Sequence, residues 1–178
     1  MGETLREPIG TAISLAVYLR SSEYEPDAEY VDGEIEKRPM GEFDHNAWQQ
    51  AIQLWFWQHA REWNTRVVPE QGVRVAETRF RVPDVTVLDR SRPIEQIVTH
   101  PPIAVFEVLS PEDTFRRVKR KLEDYRTMGI SQIWVIDPED GSYSRYEDGQ
   151  LTRRQNFTET SHGIVFEMNE IKKLFDQS

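Results

Sequence analysis

Cysteine is absent from all 178 residues, which removes disulfide frameworks, thiolate zinc sites and cysteine nucleophiles together and fits a reducing, cytoplasmic setting. The histidines His45, His59, His100 and His162 are scattered, with no paired spacing that would mark a metal site. No apolar run approaches the ~20 residues needed to cross a bilayer. The opening residues Met1 to Pro8 include acidic side chains and lack a basic-then-apolar signal pattern, so neither membrane insertion nor export is expected. A Gly-x-Ser-x-Gly elbow, a phosphate-binding loop and a dinucleotide fingerprint are all missing. A basic surplus is missing as well. The net charge of −9 argues against strong non-specific clamping of a nucleic-acid backbone, while leaving room for a local basic face or for carboxylates that an ion neutralises.

What is present is ample material for a core, with five Trp, six Tyr and eight Phe, and a length that suits one domain over residues 1–178. Residues 1–28 read as an N-terminal docking segment, with the apolar stretch Ile13 to Leu19, followed by a polar loop from Ser21 to Glu29. The span 28–140 reads as the core, and 141–178 as C-terminal strands and a helix. Asp32-Gly33, between Tyr30-Val31 and Glu34-Ile35, has the composition of a tight hairpin turn. Ala47, Trp48, Ala51, Ile52, Leu54, Trp55 and Phe56 recur at helical spacing and predict a helix capped by Asp44 and running to about Glu62. Extended segments are expected at 66–75, 80–89 and 103–109. A helix follows from about Thr114 to Met128, with Phe115, Val118, Leu122 and Tyr125 on its buried side and Gly129 ending it. Gln132 to Asp137 is a further strand, and strand, helix, strand in that order favours a parallel crossover. Short antiparallel strands at 142–147, 150–154 and 164–167 precede a terminal helix at 169–175. The fold class is therefore α/β (α+β): a mixed central sheet flanked by helices.

Ile103-Ala104-Val105-Phe106-Glu107-Val108-Leu109 is nearly all apolar, as a strand covered on both faces should be, so its single charge stands out. Pro83-Asp84-Val85 opens the preceding strand. Carboxylates at the ends of adjacent strands can converge, and hard cations such as Mg²⁺ or Mn²⁺ favour oxygen ligands in that arrangement. Taken alone, Asp84 is an ordinary turn residue and Glu107 a solvated strand end. Together, with a basic helix directly behind them, they form a candidate metal site.

These residues also carry a resemblance. Arg81-Val82-Pro83-Asp84-Val85, Val105-Phe106-Glu107-Val108-Leu109-Ser110-Pro111, Lys121-Leu122-Glu123-Asp124-Tyr125 with Gly129-Ile130, and Ile133-Trp134-Val135-Ile136-Asp137-Pro138 follow one another in an order that resembles the Uma2 family of restriction-endonuclease-like proteins. Tyr30-Val31-Asp32-Gly33-Glu34-Ile35 and Glu70-Gln71-Gly72-Val73-Arg74-Val75 are similar to it too. The resemblance covers residues 28–140 and implies the core of the PD-(D/E)XK nucleases. It also implies a site in which Asp84 and Glu107 hold Mg²⁺ or Mn²⁺, a DNA substrate and hydrolysis of phosphodiester bonds. Where the superfamily places Lys two residues after the Glu, this chain has Leu109. The resemblance assigns the missing charge to Lys121, with Lys119 as its rival.

Helical phase sets Lys121 on a flank with Val118 and Tyr125, and Lys119 on the other flank nearer Phe115. Glu70 is a candidate further metal ligand, or else a surface strand residue. Arg116, Arg117, Lys119 and Arg120 are candidate nucleic-acid contacts, as are Arg153 and Arg154, for which solvated charge is the simpler account. His45, at the start of the first long helix, reads as a surface or capping residue able to approach the site. Three functions follow: a metal-dependent endonuclease, a catalytically inactive nuclease-like fold that binds nucleic acid or protein, and an assembly protein whose aromatic helix is its interface. A homodimer suits the first, since cutting both strands is simplest with two related sites.

Overall fold

In the computed structural model, residues 13–21 and 28–178 are described; the parts of the expected docking segment and loop at 1–12 and 22–27 lie outside them. Helix α1 (Leu15–Arg20) is capped by the Ser14 hydroxyl, which accepts from the Val17 N–H. Strands β1 (Ala28–Val31) and β2 (Glu34–Lys37) form the hairpin at Asp32-Gly33. Both turn residues have positive φ, 49° and 95°, which matches a two-residue turn to the twist of its strands. Then follow α2 (Phe43–Gln58), β3 (Thr65–Pro69), β4 (Val73–Ala76), β5 (Arg79–Arg81), β6 (Val85–Asp89), β7 (Ala104–Val108) and α3 (Phe115–Met128). The chain continues through β8 (Gln132–Asp137), β9 (Ser142–Glu147), β10 (Gln150–Arg153), β11 (Asn156–Glu159), β12 (Ile164–Glu167) and α4 (Asn169–Phe175). Among the described residues no helix is long and apolar enough to cross a membrane.

Six strands form the central sheet in the order β10-β9-β8-β7-β6-β3, where β7 and β8 are parallel and the other neighbours antiparallel. A second sheet runs β2-β1-β5-β4, and β11 pairs with β12 in a ribbon. Alternation along β7 sends Ala104, Phe106 and Val108 to one face, where they meet Trp48, Ile52 and Phe56 of α2 and Ile171 of α4. Val105 points to the opposite face, against Leu122 and Tyr125 of α3. Glu107 has the parity of Val105 and therefore faces α3.

Several expectations are corrected. The extended segments 66–75 and 80–89 are each two strands in two different sheets. Glu70, at φ 49°, turns the chain between β3 and β4, and Pro83, which has no N–H for a ladder, lies in the crossing from β5 to β6. The first long helix is capped at Glu42 rather than Asp44 and stops at Gln58, with His59 as its C-cap. Glu29, read as the end of a loop, is fully buried within β1. Phe115, read as buried, is 75% exposed because it is the first residue of α3. Strand β11 has no counterpart among the extended segments expected from the sequence.

Thr114 caps α3 and Gly129 ends it at φ 102°, with the Ile130 N–H returning to the Tyr125 carbonyl. A Cβ at Gly129 would meet only Pro101 Cγ, at 3.6 Å, so any cost of Gly129→Ala comes from the backbone. That cost should be about 1 kcal/mol, the penalty of a left-handed L-residue, read as a shift in the urea midpoint without a change in slope.

Candidate active site

The site forms where the two larger sheets meet. Antiparallel pairing sets Val85 opposite Phe106; continuing that register by one residue brings Asp84 opposite Glu107. Both residues are buried, at 4% and 7% exposure. Asp84 is held from four directions. Its Oδ2 accepts the Val108 N–H at 2.8 Å and lies 3.4 Å from His45 Nε2, its Oδ1 accepts from Arg38 at 2.9 Å, and its main-chain carbonyl accepts the Gln49 amide at 3.0 Å. Burial disfavours the Asp84 carboxylate, but the His45 hydrogen bond and the charges of Lys121 and Arg38 outweigh it and lower its pKa to about 2.

Glu107 is balanced the other way. Its Oε1 accepts the Tyr125 hydroxyl at 2.6 Å and its Oε2 the Lys121 ammonium at 2.8 Å. Burial, aided by the neighbouring charges of Asp84 and Glu29, pushes its pKa up to about 7 despite Lys121. The two carboxylates thus share one side of the sheet with opposite proton affinities, the pattern of a site in which adjacent acids cannot both be ionised at no cost.

Lys121, in the second turn of α3, also reaches Glu29 Oε1 at 2.9 Å and the Val82 carbonyl at 3.3 Å. Its stem crosses the buried face so that the ammonium arrives on the same side of the sheet as Leu109, the strand position with the parity of Glu107. Lys119 instead borders an apolar depression with Phe115 and Leu151. Asp84, Glu107, Lys121, Arg38, His45 and Arg117 are among the residues that enclose a pocket of about 40 Å³, room for a water or a small ion. Glu70 does not line it. Its carboxylate is half exposed and 3.6 Å from Arg38, which joins it indirectly to Asp84.

Among the described residues no three His, Cys, Asp or Glu side chains are grouped so that they could hold a metal; the candidate centre rests on two carboxylates. Two such ligands suit Mg²⁺ or Mn²⁺, ions that commonly keep several waters. Each carboxylate oxygen accepts in more than one direction, so the present hydrogen bonds leave the donor set compatible with a hard cation.

Arg116, Arg117 and Arg120 border an open depression of about 370 Å³ with Lys37 and Glu36. Arg117 lines both this depression and the site pocket and donates to the Lys37 carbonyl, while Arg120 pairs with Glu36. Arg153 and Arg154 are exposed and paired with Asp140 and Glu147. Sequence reasoning missed Glu29, Arg38, Gln49 and Tyr125 as neighbours of the site. Tyr125 was legible only as a buried residue, and nothing in the local pattern distinguished Glu29 or Arg38 from surface charge.

The fold has a solved counterpart. A crystal structure from Anabaena variabilis ATCC 29413, described as "a putative nuclease belonging to DUF820", matches with a TM-score of 0.77 over 92% of this chain and 99% of that one, at 22% sequence identity. The model of the Uma2 family, described as "Putative restriction endonuclease", matches residues 15–169, and the chain belongs to that family. No curated protein matches its sequence.

Proposed function

We propose that this protein is a divalent-metal-dependent endonuclease that hydrolyses DNA phosphodiester bonds, with Asp84 and Glu107 as ligands for Mg²⁺ or Mn²⁺. The observation that carries this reading is the convergence of two buried strand-end carboxylates with the Lys121 ammonium, 2.8 Å from Glu107, around one small polar pocket. A metal bound there would polarise a phosphoryl oxygen and favour hydroxide over water. Arg38 and the Val108 N–H hold Asp84 in one orientation, and the Tyr125 hydroxyl holds Glu107. Lys121, kept charged by the carboxylates around it, sets its positive charge beside the pocket, where it would stabilise negative charge on the phosphorane. Glu70 reaches the site through Arg38.

The basic depression supplies a path for the backbone on one flank of the pocket. A further depression, which shares His45, Ser110 and Asp113 with the pocket, carries Glu42, Asp44, Asp137 and Glu139, so phosphates are drawn to the Lys37 and Arg116 side, and a net charge of −9 is compatible with local binding. Arg116→Ala with Arg117→Ala should weaken DNA binding similarly for all sequences. The slope of log affinity against log salt should fall by about 0.9 for each phosphate that the variant no longer neutralises, as measured by fluorescence anisotropy over a salt series.

The reading itself is tested by incubating the protein with supercoiled plasmid and single-stranded DNA in Mg²⁺ or Mn²⁺. Nicked, linear or shortened products that chelation prevents support it. Folded, metal-loaded protein that leaves every substrate intact transfers the reading to a non-catalytic nucleic-acid-binding module, to which Leu109 in place of the strand lysine already points.

A further inference from the structure

Among the described residues, Glu29 is the one fully buried carboxylate at the site that is not offered to the pocket. It lies on β1 of the four-stranded sheet, outside the β6-β7-α3 unit that carries Asp84, Glu107 and Lys121. Its Oε1 accepts both the Val82 N–H, at 2.8 Å, and the Lys121 ammonium, at 2.9 Å, while its Oε2 accepts from Arg81 at 3.1 Å. Arg81 is also fully buried and is fixed in turn by Asp124 Oδ2, 2.8 Å from its Nε, and by Glu36 at 3.0 Å.

The geometry of Lys121 depends on this neighbour. An ammonium has three N–H donors, and here three acceptors surround it: Glu107 Oε2, Glu29 Oε1 and the Val82 carbonyl. Only Glu107 belongs to the pocket. The other two come from the side of the second sheet, and Glu29 ties them together by gripping the Val82 N–H. Lysine carries its charge on a flexible four-carbon stem, so a head that reaches from a helix to a strand-borne carboxylate needs an external fix.

We propose that Glu29 is a positioning residue that locks the Lys121 ammonium against Glu107, so that the four-stranded sheet completes a site whose lysine comes from a helix. This inference rests on the nuclease reading for its consequence in catalysis, but the lock is observable without it. Asp124 provides the comparison: it is buried and bound to the same Arg81, and its own partners are Arg81 and Arg79 rather than Lys121. A purely structural role for Glu29 predicts that Glu29→Gln and Asp124→Asn behave alike.

Two readouts separate the cases. In protein labelled with ¹⁵N-lysine, the Lys121 ammonium gives a slowly exchanging ¹H–¹⁵N resonance, assigned by its loss in Lys121→Met. It should vanish or move in Glu29→Gln and stay in Asp124→Asn. In cleavage assays Glu29→Gln should lower kcat about 10²-fold, as expected for a misplacement near 1 Å, with KM for DNA unchanged. Asp124→Asn should keep kcat near wild type even where it lowers the melting temperature more. If Glu29→Gln does not fold, Glu29→Asp carries the test, since it keeps the charge but withdraws it by one methylene; a moved resonance and a lowered kcat are then expected. The resonance is read whether or not the wild type cuts DNA, so failure of the nuclease reading leaves that arm decisive. An unchanged resonance with unchanged kcat in the Glu29 variant, or equal losses in Asp124→Asn, overturns the proposal.

Discussion

Asp84→Asn and Glu107→Gln should each reduce DNA cleavage to background while leaving the protein folded. Each exchange keeps the side chain's size and removes the ionised oxygen that a hard cation needs. The two variants should differ in stability. Asp84 is held as a carboxylate by Arg38, His45 and the Val108 N–H; the Asn variant turns part of that set into mismatched contacts and should melt lower, since a buried group that loses a charged partner costs about 1–3 kcal/mol or more. Glu107 is already poised near neutrality by its burial, so Gln at that position should cost less. Cleavage assays beside thermal melts separate the effects. A variant that melts like wild type and still cuts would remove its residue from the metal centre.

Arg81→Ala should be the most destabilising single change outside the apolar core. The guanidinium is fully buried and meets Glu29, Glu36 and Asp124 at 2.7–3.1 Å. Removing it strands carboxylates in a poorly solvated place, where a broken buried pair costs about 3–5 kcal/mol. For a chain of this size that corresponds to a fall in melting temperature of roughly 10 °C. Acid should narrow the gap. Against the opposing effect of burial, Lys121 and Arg81 hold Glu29 below its ordinary value of 4.5, so its contribution is present above that value and is lost as pH falls through the lowered one. The deficit of Arg81→Ala relative to wild type should therefore shrink below pH 4.5. A deficit that is small at neutral pH, or that grows in acid, would contradict this account of the buried network.

The parts of the molecule legible in the sequence were those with a local signature. Asp32-Gly33 marks its hairpin, the apolar run around Glu107 marks a strand covered on both faces, and the stripe through Val118, Leu122 and Tyr125 with Gly129 behind it marks α3. Helical phase put Lys121 and Lys119 on opposite flanks of that stripe, both bordering it, and the choice of Lys121 came from the resemblance. What escaped was set by pairing between distant segments. β1 is buried at all four residues, so it shows no alternation that would lift Glu29 out of the polar run before it. Arg81 looks like any charged strand residue until β1, β2 and α3 close around it. The breaks at 70–72 and 82–84 send neighbouring strands to different sheets, a choice made by tertiary packing rather than by local preference. Arg38 likewise acquires its role only when α2 and β6 bring Asp84 beside it.

On the proposed reading, Asp84 and Glu107 share one divalent ion. Crystals grown with Mn²⁺ and measured at its absorption edge test this directly. An anomalous peak within coordination distance of one oxygen from each carboxylate, lost in Asp84→Asn, is the predicted result. No peak there at saturating Mn²⁺, or a peak on other residues that survives Asp84→Asn, would contradict it.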